Sequence, residues 1–201
     1  MSKQFTLINK ETPFNGFFRV HKYTLSHSLY RGGWSETIGR EVFERGSCIA
    51  VLLYDPNSDE VILIEQFRAG AINSPEPEKA WLIEIVAGAI EEGETAEAVA
   101  YRESLEEAGC TIEELMVINE FYTSPGGTSE RITLFCGKVD SRHVGGVHGL
   151  AHENEDILVK AVPFHEAYAM LQDNTIESAI PIIALQWLAL NKTALREQWL
   201  N

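Results

Sequence analysis

Three glutamates recur at helical spacing in the middle of the chain and could hold cations. Glu103, Glu106 and Glu107 fall on one side of a helix at 100° per residue. Carboxylates this close repel one another, and Arg102 can offset only one of them. Hard cations such as Mg²⁺ bind carboxylate oxygens. The cluster therefore favours a cation site, and the alternative is a solvated acidic helix face.

The helix itself is predicted over residues 96–108. This stretch contains few helix breakers, and Gly109 follows it as a natural left-handed cap. The side opposite the glutamates carries Ala98, Tyr101, Leu105 and Ala108.

A glycine-containing loop precedes this helix at fixed offsets. Loop and helix together match the pattern Gly-x5-Glu-x7-Arg-Glu-U-x-Glu-Glu-x-Gly-U, where U is a bulky apolar residue. The matching residues are Gly88, Glu94, Arg102, Glu103, Glu106, Glu107 and Gly109. At residue frequencies of about 7%, seven specified positions coincide by chance roughly once in a million chains of this length. We call residues 88–110 the acidic motif.

The composition limits the classes of protein to which the chain can belong. With 201 residues and 45% hydrophobic content, the chain can form one domain, or one domain with a small appendage. A net charge of −14 argues against binding nucleic acid or a bilayer through bulk charge. Three dispersed cysteines indicate buried thiols in a reducing compartment. The polar start does not resemble a signal peptide, and no apolar run reaches membrane-span length, so we expect a cytoplasmic protein.

Around the motif, alternating and apolar runs predict a β-rich chain. We expect residues 1–12 to be loose, strands at 17–25 and 37–43, and a hairpin formed by 47–54 and 60–67. Further strands are predicted at 81–87, 115–122, 131–139 and 157–162. Residues 14–45 form a small β unit with too few apolar residues for its own core, so it must pack on the rest of the chain or on a partner.

The remaining elements complete an α+β sandwich. A short helix is predicted at 164–171, and a last helix begins at Pro181. The apolar stripe of that last helix is expected to be core; it comprises Ile182, Ile183, Leu185, Trp187, Leu188 and Leu190. Residues 140–156 show no periodicity, and long segments of this kind are usually functional.

The chemistry expected of the motif is attack of water on a phosphoanhydride. Glu103 and Glu107, one turn apart, can bind the same cations, and Gly88 lets main-chain carbonyls come close. Two such cations can ionise a water and neutralise a phosphate leaving group. The roles of Arg102 and Glu106 stay open, because they can pair with each other, and Glu94 can simply brace the loop.

A second acidic cluster, residues 153–156, lies in the non-periodic segment. Beside a cation site it is a candidate source of a general base and a further ligand. A mobile charged loop is the alternative, and His148 and His152 are alternative bases.

Several further segments, taken with the motif, resemble the bacterial ADP-ribose pyrophosphatase branch of the Nudix family, and the motif itself resembles the Nudix box. The segments are residues 44–46, 63–68, 84–88, 124–131, 148–150 and 153–156. Pro125, fifteen residues beyond the motif, is a mark of that branch. The similarity runs from about Phe17 to the closing helices.

The resemblance implies a Nudix αβα sandwich with a small N-terminal antiparallel β unit. Residues 1–45 would form the unit, exchanged between subunits of a homodimer, and residues 46–201 the catalytic domain. Two or three Mg²⁺ ions, replaceable by Mn²⁺, would bind the carbonyl of Ala87 and the carboxylates of Glu103, Glu107 and Glu155. Ser104 and Cys110 depart from the family pattern, since bulky aliphatic residues are usual there.

The resemblance also implies roles around the substrate. Glu153 would be the base, within a catalytic set completed by Arg102, Glu103, Glu106 and Glu107. Phe17 and Arg40 of the partner would contact the adenine, with Arg68 and Glu84 in the same pocket. Glu130 of the other chain would approach the terminal ribose, and Gly88 would border the substrate.

The implied activity is Mg²⁺-dependent hydrolysis of ADP-ribose to AMP and ribose 5-phosphate. Hydrolysis of another nucleoside diphosphate sugar is the first alternative. A Nudix module that senses a nucleotide without cleaving it is the second, although such modules usually lose carboxylates that are all present here. The expected partners are a small-molecule nucleotide sugar and a second copy of the chain, with neither nucleic acid nor membrane.

Overall fold

The structure is a computed structural model that describes residues 2–201. Within that range, strands and helices follow one another in this order: β1 (Phe5–Asn15), β2 (Arg19–His27), β3 (Ile38–Glu44), β4 (Ser47–Asp55), β5 (Glu60–Phe67), β6 (Trp81–Glu84), β7 (Val86–Ala89), α1 (Ala96–Ala108), β8 (Glu114–Tyr122), β9 (Arg131–Lys138), β10 (Gly145–His148), β11 (Ile157–Pro163), α2 (Phe164–Gln172) and α3 (Ala179–Leu200). Short 3₁₀ turns lie at Ala69–Ala71, Pro77–Ala80 and Ala151–Glu153.

The chain divides into two compact units. The first runs to Ser47 and also takes in Phe121–Ile132, and the second comprises Cys48–Glu120 and Thr133–Asn201. The role of the N-terminal residues in dimerisation stays a prediction.

The first unit is built on an antiparallel sheet in the order β1-β2-β3. The prediction that residues 1–12 are loose is wrong, because β1 pairs with β2 from Phe5, opposite His27, onwards. Every residue of β1 is exposed, so main-chain hydrogen bonds rather than burial hold it. The 124–128 segment also joins this unit, since the Phe43 N–H donates to the Gly127 carbonyl at 2.8 Å.

The second unit contains a mixed sandwich. Its sheet has the strand order β10-β11-β5-β4-β9-β8, with β6 paired to β5 and β7 paired to β4. Alternate residues of a strand face opposite sides. Leu53 packs in one buried cluster with Val99 of α1, whereas the ring of its neighbour Tyr54 lies 6.5 Å from that of Trp199 in α3. Helices therefore cover both faces, and the predicted αβα sandwich is confirmed.

Several predicted boundaries need correction. The 81–87 strand is broken at Ile85 into β6 and β7, and the 140–156 segment contains β10 and a 3₁₀ turn. Helix α3 begins at Ala179 rather than at Pro181. Its stripe is only partly core, since Leu185 and Leu188 are buried but Leu190 is 86% exposed. No helix within residues 2–201 combines the length and the apolar character needed to span a bilayer.

Candidate active site

Helix α1 carries the acidic motif and has well-defined ends. The Thr95 hydroxyl accepts a hydrogen bond from the Ala98 N–H at 3.2 Å, which caps the first turn. Gly109, with φ 64°, ends the helix, and its N–H donates to the Leu105 carbonyl. The predicted helix and its cap are therefore confirmed.

The helix packs on the sheet with part of its acidic side. Its buried residues are Val99, Ala100, Ser104, Glu107 and Ala108. Tyr101 and Leu105, on the opposite side, are 46% and 59% exposed. A solvated acidic face does not describe Glu107, which is 3% exposed. Ser104 fits the buried position because its hydroxyl donates to the Ala100 carbonyl at 2.7 Å.

Glu107 is a buried glutamate of α1 whose carboxyl group contacts β7. Its Oε2 accepts a hydrogen bond from the Ala87 N–H at 3.0 Å. Burial raises the pKa of Glu107 to about 8, and the charges of Glu103 and Glu155 add to the rise, while Ala87 and Arg68 oppose it. Burial therefore disfavours the ionised form of Glu107, and a cation bound beside it would restore that form.

Gly88 and Glu103 meet where β7 faces α1. A Cβ added at Gly88 would lie 2.2 Å from Oε1 of Glu103 and 2.4 Å from its Cδ, so only glycine leaves room for this carboxylate. Burial raises the pKa of Glu103 above its ordinary value; Arg102 opposes this, and Glu106 and Glu155 reinforce it. The close approach keeps a second partly buried carboxylate beside Glu107.

Arg102 braces the remaining acidic residues of the motif. Its Nη1 donates to Glu103 Oε1 at 2.8 Å and to Glu106 Oε2 at 3.0 Å, and its Nε donates to Glu94 Oε1 at 3.3 Å. Glu94 also accepts from the Glu91 N–H, and that bond, with Arg102, holds the pKa of Glu94 below its usual range. The structural pairing of Arg102 with Glu106 and the bracing by Glu94 are both confirmed.

The 148–156 loop is attached to the carboxyl end of α1. The Gly149 N–H donates to the Glu106 carbonyl at 3.2 Å. A Cβ at Gly109 would lie 2.5 Å from Cε1 of His148, whose Nε2 is 3.1 Å from the Gly145 carbonyl oxygen. His148 is therefore a packing residue at this junction.

Glu155 and Glu153 occupy different positions in that loop. Glu155 Oε2 accepts from the Leu150 N–H at 3.0 Å, and the charge of Glu155 acts on both Glu103 and Glu107. Glu153 lies in the 3₁₀ turn, and its exposed Oε1 is 3.5 Å from Nε2 of His152. The structure thus brings Glu155 to the motif and leaves Glu153 in solvent.

These residues fit a hard divalent cation. Within residues 2–201, no three acidic, histidine or cysteine side chains converge on one ion-sized point; instead the carboxylates accept from Arg102, Ala87 and Leu150. Nevertheless, the donor set is all oxygen, and the lack of a side chain at Gly88 lets the Glu103 carboxylate approach the main chain of β7. Burial raises the pKa values of Glu103 and Glu107, and neighbouring carboxylates add to the rise, so a bound cation would favour the ionised form of both groups.

A comparison with protein families decides the class. The family model described as the NUDIX domain matches residues 44–186.

The chain belongs to the Nudix family.

Individual relatives cover almost the whole Nudix chain. A protein from Escherichia coli (strain K12) named ADP-ribose pyrophosphatase is 46% identical over 193 residues, covering 96% of this chain and 91% of that protein. One of the same name from Haemophilus influenzae is 44% identical, with coverages of 96% and 89%. A GDP-mannose pyrophosphatase from Yersinia pestis is 32% identical, with coverages of 93% and 92%. A solved structure described as an ADP compounds hydrolase aligns with a TM-score of 0.71 at 20% identity, covering 96% and 97% of the chains, which supports the fold.

The remaining expected site residues of this Nudix chain fall in both units. In the second, Arg68 Nε donates to Glu84 Oε2 at 2.7 Å, and the Ser178 hydroxyl donates to Glu84 Oε1 at 3.3 Å. The first unit holds the other three, Phe17, Arg40 and Glu130. Phe17 is 95% exposed, Arg40 donates to the Gly39 carbonyl, and Glu130 accepts from Arg45 at 3.1 Å.

One buried polar residue of β5 was missed by sequence reasoning. Gln66 is 7% exposed, and its amide nitrogen has no hydrogen-bond partner among residues 2–201. The sequence did contain a signal: Gln66 continues the inward-facing positions Ile62 and Ile64 of β5, where another apolar residue would be expected.

Proposed function

We propose that this Nudix protein hydrolyses ADP-ribose to AMP and ribose 5-phosphate in a Mg²⁺-dependent reaction. The observation that carries the proposal is sequence identity of 44–46% over 96% of the chain to proteins named ADP-ribose pyrophosphatase. The Nudix-box glutamates support it, because Glu103 and Glu107 bring two partly buried carboxyl groups together beside Gly88.

Magnesium would be held by the Ala87 carbonyl and by the carboxylates of Glu103, Glu107 and Glu155. Two or three ions, with Mn²⁺ as a substitute, suit an all-oxygen donor set. When bound, the metal neutralises charge on the pyrophosphate and lowers the pKa of the attacking water.

The protein groups would complete the hydrolysis. Glu153 would accept a proton from the attacking water while the water oxygen bonds to one phosphorus atom. The bond from that phosphorus to the bridging oxygen breaks on the opposite side, and the other phosphate leaves with the bridging oxygen. Arg102 keeps Glu103 and Glu106 oriented through its two Nη1 hydrogen bonds. These roles divide the proposed site residues into those that bind the metal, those that orient them and one proton acceptor, Glu153.

The substrate would be bound by residues from two chains. In this proposal Arg68, Glu84 and Gly88 come from one subunit, while Phe17 and Arg40 reach the adenine from its partner and Glu130 also approaches across the dimer. Support comes from the first unit, whose β1 exposes Phe5 at 73% and Phe14 at 58% in a sheet that needs a further surface to cover it.

We place the protein in the cytoplasm. Its three cysteines, Cys48, Cys110 and Cys136, are buried and form no disulfide within residues 2–201, which suits a reducing compartment.

Product analysis tests the proposed activity. ADP-ribose incubated with the protein and Mg²⁺ should yield AMP and ribose 5-phosphate by chromatography, with no products in EDTA. Side-by-side turnover of ADP-ribose, ADP-glucose, GDP-mannose and NADH tests the specificity. Faster turnover of GDP-mannose would support the alternative of another nucleotide-sugar hydrolase, for which the Yersinia relative is a reason. Absence of turnover for all four, with ADP-ribose still bound, would indicate a sensing module.

A further inference from the structure

The starting observation is the buried amide of Gln66. The residue is 7% exposed, and its Nε2 lacks a hydrogen-bond partner within residues 2–201. Buried polar groups of native proteins are nearly always paired. Ser104, which is fully buried, illustrates the usual arrangement, since its hydroxyl donates to the Ala100 carbonyl at 2.7 Å. Gln66 therefore needs an explanation.

The direction of the Gln66 side chain follows from β5. Ile62 and Ile64 belong to the buried cluster that includes Val99 and Ala108 of α1. Because residues i, i+2 and i+4 of a strand share one face, Gln66 lies on this same α1 face. Gln66 is two residues beyond Ile64, the last residue of β5 that belongs to the cluster.

The pairing of β5 with β6 relates Gln66 to charged residues of the candidate site. Across the β5–β6 pairing, Gln66 lies opposite Leu82 and Ile64 lies opposite Glu84. Arg68 continues with extended backbone, φ −124° and ψ 111°, so its side chain is on the Gln66 face and bonds Glu84. Burial raises the pKa of Glu107, and Arg68 is close enough to oppose that rise.

On its other edge, β5 pairs with β11, which continues from the loop that contains Glu155. Glu65 pairs with Leu158 of β11, and the preceding residue of β11, Ile157, is therefore beside Gln66. Glu155 lies two residues before Ile157. Gln66 thus sits between the apolar core and the site that contains Arg68, Glu107 and Glu155.

We propose that the Gln66 amide donates a hydrogen bond to an acceptor atom of the bound substrate. The proposal rests on the proposed function and adds a substrate-binding residue to it. The accepting atom would be a nitrogen or oxygen of the substrate that lies beside the Arg68 guanidinium. This atom can belong to either the nucleotide half or the sugar-phosphate half of the substrate. Substrate binding would satisfy the donor that the free protein leaves buried and unpaired.

Replacement by a near-isosteric apolar side chain tests this role. In Gln66→Met, removal of an unpaired buried donor should leave the ligand-free melting temperature unchanged or raise it by about 2–4 °C. Affinity for ADP-ribose in EDTA should fall about tenfold, the usual effect of one lost hydrogen bond. Gln186→Met, at an exposed position of α3, is the matched control and should change neither quantity.

Two fragments identify which half of the substrate is recognised. Thermal shifts with AMP and with ribose 5-phosphate, measured without metal, should show a weakened response to one of them in Gln66→Met. Wild-type affinity of Gln66→Met for ADP-ribose and both fragments would overturn the proposal. A clear fall in ligand-free melting temperature for both Gln66→Met and Gln66→Leu would also overturn it, because the amide would then be structural. Failure of the wild type to cleave ADP-ribose would instead refute the proposed function, so the two failures are separable.

Discussion

The main chain of Gly88 lies so close to Glu103 that a methyl group there would be 2.2 Å from the Oε1 atom of that carboxylate. The same helix places Glu107 one turn further on, hydrogen-bonded to the Ala87 N–H at 3.0 Å. The β7–α1 contact therefore holds both carboxylates, and glycine is required there because of the neighbouring side chain rather than because of a positive φ.

The first prediction concerns this contact. Gly88→Ala should leave the protein folded, because Glu103 can rotate away, but turnover of ADP-ribose should fall about a hundredfold through the displaced carboxylate. Gly70→Ala is the matched control, since a Cβ there has no atom within 4 Å. Steady-state kinetics and melting temperature measure the two effects. Wild-type turnover of Gly88→Ala would show that the position of Glu103 is unimportant.

The second prediction tests Glu107 as a metal ligand. Glu107→Gln should reduce turnover about a hundredfold or more at saturating Mg²⁺, since one anionic ligand is lost, while circular dichroism stays that of the wild type. Glu97→Gln changes an exposed glutamate of the same helix and should retain full activity. A near-wild-type kcat for Glu107→Gln would remove Glu107 from the ligand set.

The third prediction is a pH dependence of stability in EDTA. Glu107 has a pKa of about 8 in the folded protein against an ordinary value of 4.5. Between these limits the folded state keeps a proton that the unfolded state releases. Through this group the free energy of unfolding therefore falls as pH rises, by up to about 1.4 kcal/mol per pH unit.

Urea unfolding at pH 5, 6.5 and 8 measures this dependence. Relative to wild type, Glu107→Gln should become progressively more stable from pH 5 to pH 8, whereas the control Glu97→Gln should not. A constant difference between Glu107→Gln and wild type across this range would contradict the raised pKa.

The fourth prediction separates the two loop glutamates. Glu153→Gln should lower kcat by about 10²–10⁴-fold with little change in KM, because a general base acts on the chemical step. Mg²⁺ affinity should be nearly unchanged in this variant and weakened in Glu155→Gln. If Glu153→Gln keeps full kcat from pH 6 to 9, the base is another residue, with Glu106 or His152 next to be tested.

The fifth prediction addresses assembly. Light scattering should give about twice the chain mass of 22.5 kDa at micromolar concentration. Arg40→Ala and Glu107→Gln, each inactive alone, should regain partial activity after subunit exchange if one site draws on both chains. A monomeric mass would exclude the shared site, and a dimer without regained activity would place each site within one chain.

Local chemistry made some features of this fold predictable. Helix α1 was located correctly because Thr95 and Gly109 cap it and no breaker intervenes. The β4–β5 hairpin was located because two apolar runs flank the turn residues 56–59. Strand β1 was not predicted because all of its residues are exposed, so the strand has no buried face that a sequence pattern could indicate.

Other features depend on contacts between distant residues. The packing of His148 on Gly109 joins positions 39 apart in the chain, and nothing local to either indicates it. Periodicity grouped Glu107 with the other glutamates but could not show that this side of α1 turns toward the sheet. The motif thus identified the acidic residues, whereas their burial and the raised pKa values required the tertiary structure.

The hydrogen bond from the Gly149 N–H to the Glu106 carbonyl sets a limit on how far Glu153 can travel. Glu153 is four residues from this attachment and four from Ile157, where β11 begins. A four-residue extended chain spans at most about 14 Å, so Glu153 is confined to the overlap of two spheres of that radius. Lengthening the segment on either side of Glu153 by a few residues would enlarge that volume. The effective concentration of the Glu153 carboxylate near the attacking water would then fall, whereas the added loop entropy would cost little folding stability.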